Sequence, residues 1–65
     1  MENLRETLEK EFAEQNRIVI RNFFMNRALN TTDAAATLER GLLLNRKIKA
    51  EATAIIDKVN HNTSA

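Results

Sequence analysis

The sequence predicts an all-α protein: an antiparallel two-helix hairpin that dimerises into a four-helix bundle. Three observations carry this expectation. Proline is absent and glycine occurs once in 65 residues, so almost nothing punctuates a helix. A single break, Asn30-Thr31-Thr32-Asp33, divides the chain near its middle. Apolar residues recur at three- and four-residue intervals on both sides of that break, the rhythm of helices with a buried face.

Helix 1 is expected over about residues 3–29. Leu8, Phe12, Gln15, Val19, Asn22, Asn26 and Leu29 follow the three-four alternation, flanked by Leu4, Ile18, Phe23 and Met25. The β-branched run in "RIVIRNFF" has some strand character, but good helix formers surround it and no turn signal interrupts it. A turn is expected at about 30–32, where Asn30, Thr31 or Thr32 can serve as an N-cap and Asp33 suits the positive end of a helix dipole. Helix 2 is expected over about 32–60, with a frayed tail at 61–65, the whole chain 1–65 forming one domain. Leu38, Gly41, Asn45, Ile48, Ala52, Ile55 and Val59 keep strict alternation there, with Leu42 and Ile56 widening the stripe. That is a coiled-coil seam with small residues at several positions, which lets a neighbouring helix approach closely. Two helices of about 40 Å joined by a tight turn predict antiparallel packing.

Charge agrees with that orientation. Residues 1–14 hold five acids against two bases, and residues 46–59 hold four bases against two acids. Residues 15–29 carry only basic charge, and Asp33 and Glu39 open helix 2. Each exposed pair contributes only about 0.2–1 kcal/mol, so the pattern selects an orientation more than it stabilises a fold.

One hairpin does not cover this sequence. Helix 1 places Leu4, Leu8, Phe12, Val19 and Phe23 on one face, and Ile20 and Phe24 nearly opposite. Leu43 and Leu44 likewise fall away from the seam of helix 2. A helix that is apolar all round normally sits inside a larger body. Small domains without a large core add disulfides, a metal or another chain; here there is no Cys and only one His, His61. The expectation is a homodimer, or else an obligate partner chain, with Phe12, Val19, Phe23, Leu38, Leu42, Asn45, Ile48 and Ile55 in the oligomer interface. Asn45 is read as a buried amide that fixes register at some cost in stability. Gln15, Asn22 and Asn26 either share that role or line a wet edge.

Two surfaces are candidates for partner binding. Arg17, Ile20, Arg21, Phe24 and Arg27 run along one face of helix 1, three guanidiniums interleaved with an aliphatic and an aromatic group. Such a stripe suits either an acidic, apolar protein groove or phosphates. The alternative is that Ile20 and Phe24 belong to a dimer core fringed by the arginines. Exposed Leu43 and Leu44 form the second candidate. Arg46, Lys47 and Lys49 follow them as a basic cluster that reads as solvated charge. "TTDAAATLERGLLLNRKIK" has some features of a helix-turn-helix, but Gly41 comes two residues late and Leu42–Leu44 leave no polar turn. In architecture the chain resembles plasmid copy-control proteins of the Rop kind, two-helix hairpins of about this size that dimerise. No motif carries that resemblance, so no RNA-binding residue is transferred by it.

Other classes find little support. Glu2, Glu6, Glu9, Glu11 and Glu14 stand where acids favour a helix dipole, and no base–nucleophile pair accompanies them, so no enzyme, cofactor or small-molecule substrate is expected. The N-terminal "MENLRETLEKEF" lacks the apolar core of a signal peptide, and no run reaches the roughly 18 apolar residues of a membrane span. Asn30-Thr31-Thr32 and Asn62-Thr63-Ser64 match the glycosylation tripeptide by chance on this reading. In residues 17–29 arginines and apolar groups mix around the helix, which argues against a membrane-surface segment. A small bacterial or phage protein of the cytoplasm is expected. It would act as a regulator, inhibitor or adaptor on a protein partner, with nucleic acid as the alternative.

Overall fold

The structure, a computed structural model, describes residues 3–63, the side chains of 62 and 63 excepted. Two helices make up the fold: α1, Leu4–Ala28, and α2, Ala34–Thr63. They pack against each other antiparallel in a single layer, with Cα extents of 54 × 20 × 7 Å.

Each helix end has a local cause. Asn3 caps α1: its side-chain Oδ1 accepts the Arg5 N–H at 2.9 Å, and its carbonyl accepts the Thr7 N–H at 3.0 Å. At the other end Asn30 takes a left-handed conformation, φ 56°. The Thr31 N–H then reaches back to the Asn26 carbonyl at 2.9 Å and the Asn30 N–H to Arg27 at 3.1 Å, the paired bonds of a Schellman motif. Asn30 therefore closes α1 instead of opening α2, as one sequence reading had it. Asparagine suits the position because it tolerates positive φ better than most side chains. Asp33, φ 68°, is the residue that starts α2, its carbonyl accepting the Thr37 N–H at 2.9 Å. The start lies two residues beyond the expected one because the Schellman turn uses Asn30 and Thr31. α2 runs to Thr63, past the expected end near residue 60; residues 64 and 65 of the expected tail lie outside the described residues.

The contact line between the helices differs from the heptad read in the sequence. On α1 the half-buried residues are Leu8, Phe12, Asn16, Val19, Phe23 and Asn26. On α2 they are Leu38, Gly41, Leu42, Asn45, Lys49, Ala52, Thr53 and Ile56, with Ala34 buried. Ile48, Ile55 and Val59, placed in the seam by strict alternation, stand 51%, 63% and 44% exposed. Gln15 and Asn22 are also exposed, and Asn16 takes the inward place. The reason is the helix period. An α-helix turns once in 3.6 residues, so a strict seven-residue pattern drifts off a straight contact line by about 20° per heptad. Ala34, Asn45 and Ile56, eleven residues apart, track the real line.

Among the described residues Ala34, 3% exposed, is the only buried one. The chain exposes 5517 Å². A compact single chain of 7.4 kDa exposes about 4,200 Å². Among the described residues the hairpin has a seam but no core beyond Ala34.

Candidate functional site

The seam has two unlike edges. Along one edge ion pairs tie the helices together. Arg5 Nη2 meets Asp57 Oδ1 at 2.7 Å and Oδ2 at 2.9 Å, and Arg5 Nε adds a bond at 3.1 Å. Lys49 Nζ meets Glu9 at 2.8 Å and also lies 4.6 Å above the Phe12 ring, so its ammonium is held by a carboxylate and an aromatic face together. The Glu9–Lys49 pair follows the expected acid-on-α1, base-on-α2 pattern; Arg5–Asp57 reverses it.

Along the opposite edge the helices part into shallow clefts. One, of about 290 Å³, is lined by Leu8, Glu11, Phe12, Gln15, Asn45, Ile48 and Lys49. The other, of about 120 Å³, is lined by Val19, Asn22, Phe23, Asn26, Thr37, Leu38 and Gly41. Glu11, Gln15 and Asn22 form the α1 rim, and Thr37 and Ile48 the α2 rim. By helical spacing Ile18 continues the first rim with Met25 further out toward the back of α1, while Leu44 and Ile55 continue the second. Leu44 lies beside Thr37, Arg40 and Gly41. All four are apolar and exposed by 40% or more.

The arginine stripe lies elsewhere. Ile20 and Arg27 fall in line with Glu9, on the ion-paired side, and Arg17, Arg21 and Phe24 stand further out on the back of α1. Phe24 is 69% exposed, and its ring meets Phe23 edge to face with centroids 6.1 Å apart. Phe23 is half-buried in the seam, so one aromatic anchors the other. Arg17 is not free for a ligand. Its Nη2 and Nε bond Glu14 at 3.0 and 3.2 Å, which lowers the Glu14 carboxyl below its usual range, first by hydrogen bonding and then by charge, and raises Arg17. Leu43 and Leu44, adjacent in sequence, are separated by about 100°: Leu43 lies about 40° beyond Asp57, toward the back of α2 on the ion-paired side, and Leu44 belongs to the cleft side.

Of the residues expected between copies, Phe12, Val19, Phe23, Leu38, Leu42 and Asn45 are half-buried between the two helices of one chain; Ile48 and Ile55 face outward. Asn45 donates through Nδ2 to Asn16 Oδ1 at 3.1 Å. Heptad counting selects Gln15 in place of Asn16; the spacing of Asn16, four residues after Phe12 and three before Val19, is the signal for its inward position. Among the described residues, no group of three or more His, Cys, Asp or Glu is placed to hold a metal ion, and no helix is long and apolar enough to cross a membrane. No family model, curated protein or solved structure matches this chain.

Proposed function

We propose that this chain is a small, non-enzymatic helical interaction protein of the cytoplasm, which dimerises and binds a protein partner through a helical surface, as a regulator, inhibitor or adaptor. The supporting observation is the distribution of apolar surface: large side chains stand exposed on both sides of a one-layer hairpin in which a single described residue is buried. Exposed apolar surface on this scale marks interaction sites. Ile20, Phe24 and Leu43 supply the partner-facing group, with Phe24 as its aromatic anchor. The engagement of Arg17 by Glu14 weighs against a phosphate-binding stripe, since one of its three guanidiniums already carries a carboxylate.

Sedimentation equilibrium of the purified chain at micromolar concentration tests self-association. A dimer is expected, and a monomer that melts cooperatively overturns the reading. Partner binding is tested by comparing Phe24→Ala with the triple change Arg17→Ala, Arg21→Ala, Arg27→Ala. Loss with Phe24→Ala and indifference to salt fit a protein groove. Loss confined to the triple change, with a steep fall in affinity as salt rises, assigns the stripe to nucleic acid instead.

A further inference from the structure

Resting on the self-association just proposed, we infer that the cleft side of the hairpin is the dimer interface and that its occupant is the same face of a second copy. Of the residues expected from the sequence between copies, Phe12, Val19, Phe23, Leu38, Leu42 and Asn45 are half-buried within one chain, while Ile48 and Ile55 stay exposed. What remains for a second copy is the row of Ile18 and Met25 on α1 facing Leu44, Ile48 and Ile55 on α2, exposed by 40–63% on one side of the molecule. Between those rows run the two clefts, floored by Leu8, Phe12, Val19 and Leu38.

Three features select a second copy over another protein. The first is area. Merging two chains of 5517 Å² into one compact body removes on the order of 4,000 Å², within the roughly 2,000–5,000 Å² of obligate homodimers. The second is length: the face spans a molecule 54 Å long, and an identical face covers it end to end. The third is charge. The outer border of this face carries Glu14 on α1, already bonded by Arg17 at 3.0 Å, and Arg40 and Lys47 on α2, while Glu11, bonded by Gln15 at 2.7 Å, lines the cleft inside the face. The Asn16–Asn45 and Arg5–Asp57 contacts set Glu14 level with Lys47. A two-fold axis parallel to the helices lays α1 of one copy over α2 of the other and keeps those levels, so the acidic border meets the basic one. The arrangement buries the cleft side and leaves Ile20, Phe24 and Leu43 outward for a partner.

The experiment compares Ile55→Glu on the cleft side with Leu43→Glu on the other, by sedimentation of the full chain. Each change occurs twice in a symmetric dimer, so Ile55→Glu is expected to weaken association by about a hundredfold or more. Leu43→Glu is expected to leave it within about threefold, as for a site outside the interface. If Ile55→Glu remains dimeric, or if Leu43→Glu dissociates instead, the face is wrong while self-association stands. If the unaltered chain is a monomer throughout, self-association itself fails and the face falls with it. A milder pair keeps the test valid should Ile55→Glu unfold. The chain has no cysteine, so Ile55→Cys and Leu43→Cys each report one position. Thiol labelling at residue 55 should be slow and accelerate on dilution, and at residue 43 fast at every concentration. Equal rates overturn the assignment.

Discussion

Gly41 lies so close to Val19 that a Cβ at residue 41 would fall 2.8 Å from Val19 Cγ1 and 3.3 Å from Cγ2. Valine in a helix is held to one rotamer and has no flexible end to yield. Gly41→Ala therefore sets two effects against each other: alanine gains about 0.8–1 kcal/mol of helix propensity, while overpacking costs about 1–3 kcal/mol. The clash is expected to win, leaving the variant about 1 kcal/mol less stable in urea denaturation. Adding Val19→Ala should make the Gly41→Ala step favourable. A Gly41→Ala protein that is more stable on its own would show that the helices can part without cost.

The Asn16–Asn45 bond, 3.1 Å and half-buried, is the polar contact on the contact line itself. Asn45→Ala strands the Asn16 amide and is expected to cost about 1–2 kcal/mol. Replacing both asparagines with leucine should instead raise the melting temperature, because no unsatisfied group remains. The same double variant is expected to show more than one oligomeric species in sedimentation, since the register signal is gone. A single species of unchanged mass would remove the register role from this pair.

Lys49 and Arg5 both bridge the helices, and the expectation is that they contribute unequally. The Arg5–Asp57 pair is exposed, 60% and 50% by side chain, so Arg5→Ala should cost no more than about 1 kcal/mol and less in high salt. Lys49 is 29% exposed, packs its stem in the cleft and sets its ammonium over Phe12. Lys49→Ala should cost about 1–2 kcal/mol, and Lys49→Met, which keeps the stem, roughly half of that. Equal losses for Arg5→Ala and Lys49→Ala would contradict the contribution assigned to Phe12.

Glu14 supplies a pH dependence whose sign is fixed. Its carboxyl is lowered by the Arg17 hydrogen bond and charge, so the folded chain holds a proton there less readily than the unfolded chain does. The contribution is complete above the ordinary carboxylate range and disappears as pH falls through the lowered value. Helicity followed by circular dichroism should decline on acidification from that range downward, and Glu14→Gln should flatten the decline. The group is on the surface and the effect small, so the comparison is made at low salt.

The amino-acid sequence by itself determined that the chain is helical and where it folds back. With no proline, one glycine and a mid-chain cluster of polar turn residues at 30–33, long helices outweigh the strand character of "RIVIRNFF". It also determined the excess of apolar surface, because Ile20 and Phe24 cannot share a face with Leu8 and Phe12 at 100° per residue. Which residues meet was decided only in the tertiary structure. Strict alternation selects Ile48 and Ile55, yet the contact line passes through Lys49 and Ile56, because packed helices keep their 3.6-residue period and a heptad walks away from it. The sorting of Leu43 from Leu44, and of the ion-paired edge from the cleft edge, follows from that rotation. A shift of about 100°, one residue, moves a side chain from seam to rim, and periodicity alone does not resolve a rotation of that size.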